Sequence, residues 1–291
     1  MKFLNFLSSK IEDETCITIG SFDGFHLAHK SLINVTLDLS KYFNIRSLIF
    51  TFIEHPHLNK DLILTKDEKL EMLKNFNFDY VVLLDRSVFD IKREEFLKIL
   101  KENFKVKWIV IGYNHKFGNR REGDKVFLSQ NVENFKFGLT IMPPIELEGI
   151  EISSSNIRKF IKEGKIEIAN KLLGYNYFVK GEVIKGKGLG KEIGFPTINI
   201  KVSEEKLIPK QGVYLTKSYI KNKIYYSATY VGQVIESYVF DFNEEIYGET
   251  VKTEFIKFIS EAKKFDNLED LRKKIERDVR IALNFLSEQP Q

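Results

Sequence analysis

The sequence predicts an α/β chain in two parts, a doubly wound parallel sheet (Rossmann-like) followed by a small antiparallel β-barrel with a C-terminal helix. Three observations lead there. Up to about Ile150, near-continuous Ile/Val/Leu runs alternate with helical stretches, the pattern of crossover units whose sheet is covered on both faces. Past Gly174, aromatic and β-branched alternation between Gly, Asn and Lys turns takes over, as in an antiparallel sheet or barrel. At 291 residues the chain is long enough to favour about two domains over one.

Each element follows from local pattern. CITIGSFD reads as a buried strand and HLAHKSLINVTLDLSKYF as the helix after it. IRSLIFTF is a strand, and TKDEKLEMLKNF a helix opened by a capping box of Thr65 and Glu68. YVVLLD, KWIVIGYN and FGLTIMPPI are strands, separated by the helices EEFLKILKENF and KVFLSQNVENF. Two short helical stretches follow, SNIRKFIKEG and EIANKLLG, the first with Ile157, Phe160 and Ile161 at helical spacing. Six strand-like runs come next: FVKGEVIKG, FPTINIKV, GVYLTKSYI, IYYSATYVG, SYVFDF and VKTEFIKFI. KNK is a turn between two of them. The final helix is expected to start at Asp266, with Glu269 three residues on, and to carry a stripe of Leu271, Ile275, Val279, Ala282 and Leu286. The expected domains are 1–174 and 175–291.

Composition excludes several classes. With 43% hydrophobic and 30% charged residues the chain is globular rather than disordered. The single Cys16 cannot form an internal disulfide or a multi-cysteine zinc site. No apolar run approaches the roughly 20 residues of a membrane helix. The opening MKFLNFLSSKIEDE is too short in its apolar part, and too soon acidic, for a signal peptide, so the expected location is the cytoplasm. A net charge of +4 is too small to indicate a nucleic-acid partner. Oligomeric state is not readable from the sequence.

Chemistry is expected beyond the carboxyl ends of the parallel strands. Three unusual segments fall there: GSFDGFHLAH, TFIEHPH and IGYNHKFGNRREGD. They hold all five histidines: His26, His29, His55, His57 and His115. The first segment suits polyphosphate, because Gly20 and Gly24 permit close backbone approach and the helix starting near His26 offers free N–H groups. His26 and His29, three apart, lean to one side and can donate to phosphate oxygens as charge builds on a leaving group. Taken singly, His55, His57 and His115 are more simply satisfied structural residues. The rival for His26, His29, His55 and His57 together is a zinc site.

These residues carry a resemblance. GSFDGFHLAH resembles the FDGxHxGH signature of the bifunctional riboflavin kinase/FAD synthetase family, whose first domain belongs to the nucleotidyltransferase superfamily. ISSSNIR, residues 152–158, is similar to that superfamily's ISSTxIR motif. TFIEHP and GYNHKFG are similar, more loosely, to the intervening TFxPHP and GxDFxFG. The resemblance implies ATP held by Gly20, Ser21, Phe22, Asp23, Gly24, His26 and His29 together with Ser154, Ser155 and Arg158. FMN would attack the α-phosphorus, with Asn114, His57 and Phe117 near the flavin, and Arg158 would be the positive fork for the departing phosphates. Ala28 replaces the glycine of HxGH, Glu54 a proline, His115 a phenylalanine and Asn114 an aspartate. An alanine in helical conformation is easily tolerated, and Asn114 keeps hydrogen bonding without charge.

In the second half, GKGLGKEIGFPTINI supplies Thr197 and Asn199, two hard-oxygen ligands on one face of a strand and suited to Mg²⁺. Gly186, Gly188 and Gly190 would let a loop fold over phosphates. The segment resembles the riboflavin kinase signature GxGxGRxLGFPTANI, ESYVFDFNEEIYGE resembles ExHxLDFxxxLYG, and KKFDNLEDLRKKIERDV the closing helix. The resemblance, from about Thr18 to Ala282, implies Mg–ATP at Thr197 and Asn199, and Glu236 as the base that takes the riboflavin hydroxyl proton. Lys191 stands for the family's arginine. An RPTF-containing loop usual before the glutamate is missing, since Glu236 follows almost directly on Gly232. The implied activity is ATP-dependent conversion of riboflavin to FMN and of FMN to FAD. The alternatives are FAD synthesis alone beside a degenerate kinase module, or a flavin-binding protein without catalysis.

Overall fold

The computed structural model describes residues 1–288 apart from 55–57, 59 and 187. The chain divides into two compact units, Met1–Ser154 and a second from Ser155 onward.

In the first unit the strands are β1 (Lys2–Leu4), β2 (Thr15–Gly20), β3 (Arg46–Phe52), β4 (Tyr80–Leu84), β5 (Val106–Gly112) and, after two short paired strands β6 (Lys116–Phe117) and β7 (Gly123–Asp124), β8 (Gly138–Met142). The six long-range partners pair in parallel in the order β1-β4-β3-β2-β5-β8. Helices α1 (Leu27–Tyr42), α2 (Lys66–Leu73), α3 (Arg93–Phe104) and α4 (Lys125–Phe135) connect them, and the small hairpin β9 (Glu146–Leu147) with β10 (Ile150–Glu151) ends the unit. The sheet is covered on both faces, as the unbroken apolar runs require. On one side Ile17, Leu48, Phe50 and Val82 join Phe96, Leu97, Leu100 and Phe104 of α3. On the other, Cys16 and Val110 pack with Leu32 of α1. Burial pushes the Cys16 thiol up to about 12, which makes it an inert apolar filler. Strand β1 is an addition to the expected pattern: three residues suffice because Lys2–Leu4 pair along Tyr80–Val82.

The capping box at α2 is present in full: Thr65 caps the Glu68 N–H and the Glu68 carboxylate returns to Thr65 N–H at 2.9 Å.

In the second unit, α5 (Ser154–Lys162) and α6 (Ile166–Leu173) precede the barrel strands β11 (Phe178–Ile184), β12 (Ile198–Val202), β13 (Gly212–Ile220), β14 (Lys223–Val231), β15 (Ile235–Val239) and β16 (Thr250–Glu261). The barrel closes in the order β11-β12-β15-β14-β13-β16, with antiparallel pairing throughout. All six expected strand runs are in it. The KNK turn is tight: Lys221 (φ 47°) and Asn222 (φ 65°) supply the two left-handed residues of a type I′ hairpin. Helix α6 is tied to β16 by the Asn170 amide, which donates to Phe255 C=O at 2.8 Å while its oxygen accepts from Tyr177 N–H at 2.7 Å.

The barrel interior is partly polar. Thr216, Ser218, Ser227, Thr229 and Ser237 are fully buried. Their hydroxyls satisfy one another: Thr216 with Thr229 at 2.6 Å, Thr229 with Ser237 at 2.8 Å, and Ser218 with Ser227 at 2.8 Å.

A one-turn helix α7 (Leu189–Glu192) lies in the glycine-rich segment, and α8 (Leu268–Ser287) ends the described chain. Its start differs from the sequence expectation: the cap is Asn267, whose side chain accepts from Asp270 N–H at 2.9 Å, not Asp266 with Glu269. Both pairs have the capping spacing, and the asparagine one residue on takes the role. Asp278 anchors α8 to β16. It is buried, accepts from Ser260 Oγ at 3.0 Å and pairs with Lys274, whose ammonium also donates to Ser260 at 2.6 Å. Asp278→Ala strands that ammonium and is expected to lower unfolding free energy by about 2 kcal/mol, seen as a lower urea midpoint. An unchanged midpoint would mean that the apolar stripe alone holds the helix.

Candidate functional site

Strand β2 has β3 on one side and β5 on the other, so the strand order reverses there. The loops leaving the carboxyl ends of β2 and β5 flank that switch point, where open α/β sheets bind ligands.

The β2 loop is held in a costly shape. Phe22 (φ 46°), Gly24 (φ 89°) and Phe25 (φ 38°) all have left-handed backbone, unusual for phenylalanine. Burial fixes it, since both rings are at most 1% exposed and stack on each other at 5.9 Å, with Phe76 against Phe25. Asp23, 3% exposed, accepts from the backbone N–H of Ile63 (3.3 Å) and Leu64 (3.2 Å). Ser154 Oγ donates to Asp23 C=O at 2.8 Å, joining the ISSSNIR motif to this loop. Thr51 Oγ1 donates to Ser21 C=O at 3.3 Å.

His26 is the N-cap of α1, its Nδ1 accepting from His29 N–H at 3.3 Å, so its other nitrogen carries the proton in the neutral ring. The two imidazoles stack face to face, 3.6 Å between centroids and 16° between planes. Lone pairs lie in the ring planes, so this arrangement does not converge both rings on one metal ion. Among the described residues no group of three or more His, Cys, Asp or Glu is gathered to hold a metal. His55 and His57, the other members of the zinc alternative, lie outside the described residues, as does the flavin role expected of His57. His29 Nδ1 is buried with no partner among the described residues. Burial first, then the charges of His26 and Lys69, hold this imidazole well below its usual pKa, so it is neutral at pH 7. Ala28 sits inside α1 and needs no left-handed backbone.

The β5 loop presents a second orphan of the same kind. His115 Nε2 is buried with no partner among the described residues, its ring is parallel to Phe117 at 5.9 Å, and burial with the nearby Arg121 charge lowers its pKa to about 4. Asn114 beside it is exposed, while Phe117 is enclosed by Phe96 and Phe127 in the core. As placed, Phe117 seats the loop and Asn114 is the accessible member. Two unpartnered imidazole nitrogens at one switch point are unusual in a folded chain, since each costs about 1–3 kcal/mol unless a ligand uses it.

Sequence reasoning missed Lys69. Its ammonium, on α2, donates to the carbonyls of Ser21 and of Phe52 (2.8 Å) and is 6% exposed. The available signal was periodicity: Lys69 shares a helical stripe with Leu73 and so faces inward.

In the second unit Ser155 is exposed and Arg158 half-buried on α5. On the barrel, Asn199 of β12 pairs in register with Glu236 of β15, so the two side chains leave the same face. Thr197 immediately precedes β12. The glycine loop lies on both: a β-carbon at Gly186 would sit 2.2 Å from the Asn199 amide, and one at Gly190 would sit 3.3 Å from Thr197 Oγ1 and 2.4 Å from Phe195 C=O. Gly188 caps α7, which carries exposed Lys191. Two aromatic rings extend this face, Phe195 edge-on to Tyr238 at 5.2 Å. Strands β14 and β15 are joined by Gly232–Val234 alone, with Gly232 N–H donating to Val234 C=O at 3.2 Å, so no longer loop intervenes before Glu236.

Comparison with known proteins gives two family matches, FAD synthetase over residues 8–156 and riboflavin kinase over residues 173–286. A bifunctional riboflavin kinase/FMN adenylyltransferase of Listeria monocytogenes is 31% identical, the alignment covering 90% of this chain and 89% of that one. The Bacillus subtilis protein of the same description is 29% identical over 94% and 93% of the two chains. A solved structure from Streptococcus pneumoniae, described as a macrolide-efflux protein, superposes with a TM-score of 0.86 at 27% identity, covering 97% of this chain and 99% of that one. No helix among the described residues here is long and apolar enough to cross a membrane.

Proposed function

The chain belongs to the bifunctional riboflavin kinase/FMN adenylyltransferase family, and on that footing we propose that it phosphorylates riboflavin to FMN and adenylylates FMN to FAD. ATP is the donor in both steps and pyrophosphate leaves the second. The chain is a transferase acting on small molecules, with ATP and a divalent metal as the family requires; we take the metal to be Mg²⁺ and the location to be the cytoplasm. The adenylyl-transfer domain is assigned to residues 1–174 and the kinase domain to 175–291.

The observation that carries the first activity is the pair of neutral imidazole nitrogens without a partner among the described residues, His29 Nδ1 in the first turn of α1 and His115 Nε2 in the β5 loop, on either side of the switch point. A neutral imidazole donates a hydrogen bond without holding a phosphate too tightly in the ground state, so its contribution grows as negative charge collects on the departing pyrophosphate. His26 fixes the His29 backbone by its cap and the His29 ring by stacking. Gly20 to Gly24 are assigned to the ATP phosphates on the strength of the motif. Ser154, Ser155 and Arg158 are assigned phosphate contacts on the strength of the motif, and Asn114 a flavin contact.

For the second activity the residues fit a hard cation: a hydroxyl and an amide oxygen adjoin one face, under a glycine loop that a β-carbon at Gly186 would lift away. Thr197 and Asn199 would hold the metal, which would neutralise ATP phosphate charge. Glu236, in register with Asn199, takes the proton of the riboflavin 5′-hydroxyl as that oxygen attacks the γ-phosphorus. Gly186, Gly188, Gly190 and Lys191 close over the phosphates.

The short Gly232–Val234 connection favours one second reading, FAD synthesis alone. Incubating the protein with riboflavin, ATP and Mg²⁺ and separating the products decides. FMN followed by FAD is the expected result. FAD formed only from supplied FMN selects the second reading, and absence of both products overturns the proposal.

A further inference from the structure

The lysine that the sequence did not single out lies against the loop that bears the adenylyl-transfer histidines. Lys69 is enclosed, and an enclosed ammonium is expensive unless its hydrogens are used. Here they are aimed at backbone. One goes to Ser21 C=O, inside the β2 loop, and one to Phe52 C=O, at the end of β3. The peptide geometry gives this a consequence. In a trans peptide the C=O and the following N–H point opposite ways, so pinning Ser21 C=O inward turns Phe22 N–H outward from the lysine. The second anchor behaves the same way, because the N–H after Phe52, that of Ile53, donates in the other direction to Leu84 C=O at 3.2 Å.

Among the described residues, the charged and titratable groups facing Lys69 are few. Asp23, on the loop, favours the ammonium. His29, on α1, is pushed toward its neutral form by the lysine's charge. His26 reaches it through His29, on which it stacks. Glu68, next on α2, spends a carboxylate oxygen on Thr65 N–H in the capping box. An apolar residue at position 69 would complete the stripe with Leu73 at less cost, yet would take the ammonium from both carbonyls and leave Ser21 C=O with the longer bond from Thr51 Oγ1 at 3.3 Å.

We infer that Lys69 is a positioning residue for adenylyl transfer: from behind the loop its ammonium fixes the Ser21–Phe22 peptide, so that backbone N–H groups face the ATP phosphates. This rests on the adenylyl-transfer assignment above. It adds that the positive charge behind the phosphate loop comes from a side chain that never touches substrate. Burial lowers the Lys69 pKa to about 8, with Asp23 opposing the shift, so the ammonium is intact at pH 7 and lost as pH rises through about 8.

The test uses the full chain and measures FAD formation from supplied FMN and ATP between pH 6.5 and 10, with FMN formation from riboflavin as reference on the same protein. For the wild type, kcat/KM for FAD formation should fall with an alkaline limb near pH 8 that FMN formation lacks. Lys69→Arg keeps a cation that does not titrate in this range and should remove the limb. Lys69→Met should cut FAD formation by about 30-fold at pH 7.5, as expected for a displaced binding loop, flatten the pH profile and spare FMN formation. A wild-type profile without the limb, or a limb that persists unshifted in both variants, overturns the inference. Wild-type protein that makes no FAD at all overturns the adenylyl-transfer assignment itself, a different result from activity with an unmoved limb.

Discussion

Replacing His29 by alanine is expected to lower the rate of FAD formation from FMN and ATP by about 10³-fold, with riboflavin phosphorylation unchanged. The size follows from what the side chain does. His29 Nδ1 is buried with no partner among the described residues, and the ring is clamped between His26 at 3.6 Å and the edge of Phe22 at 5.1 Å. A donor held this rigidly contributes most when charge develops on the leaving phosphates, so the loss should fall on kcat more than on KM for ATP. The sign of the pH dependence also follows. His29 is a base whose pKa is lowered well below 6.5, so its titration should put no step near pH 6.5 in the wild-type rate, which falls only on the alkaline limb set by Lys69. A step at pH 6.5 that disappears in His29→Ala would mean that the protonated ring is the active form. Equal loss of both activities would contradict two separate sites.

Glu236→Ala reverses the pattern. FMN formation from riboflavin should fall by about 10³-fold, while FAD formation from supplied FMN continues. Glu236 sits opposite Asn199 on β12 and Tyr230 on β14, which gives its carboxylate a fixed origin on the barrel wall. Glu236→Asp should recover part of the rate, because the shorter side chain keeps the base and loses reach. Undiminished FMN formation in Glu236→Ala would remove the residue from catalysis and leave Asn199 and Thr197 as the only functional groups assigned to that face.

Much of this molecule was legible in advance because local and tertiary preferences agree. The buried parallel strands had to be apolar throughout, the barrel strands had to alternate, and the capping box at Thr65 announced α2. What escaped depends on partners distant in sequence. Strand β1 is three residues long and exists by pairing with β4, so no periodicity could reveal it. The start of α8 was misplaced by one residue because Asp266 and Asn267 both offer the capping pattern. Among site residues, the spacing of His26 and His29 put both rings on one side of the first turn, but their face-to-face stacking was not foreseen. Nor was Lys69, since its partners, the carbonyls of Ser21 and Phe52, are 48 and 17 residues away and carry no mark in a one-dimensional string. Asn199 was read with Thr197 from donor chemistry on one strand face and Glu236 through motif resemblance alone, and only the register of β12 on β15 makes Asn199 and Glu236 neighbours.

The hydroxyl chain inside the barrel has a direction. Thr216 Oγ1 also lies 3.3 Å from Ser227 C=O, which can only accept, so the single proton of Thr216 goes there. With the Thr216 proton on that carbonyl, the order that satisfies all three bonds has Thr229 giving its proton to Thr216 and receiving one from Ser237. The wall of the barrel therefore carries a one-way file of protons ending on a carbonyl, and Thr229 is the link that serves two neighbours with one hydrogen. Descendants of this chain should exchange these positions in matched sets, hydroxyl for hydroxyl or whole rows turning aliphatic at once, and seldom one at a time.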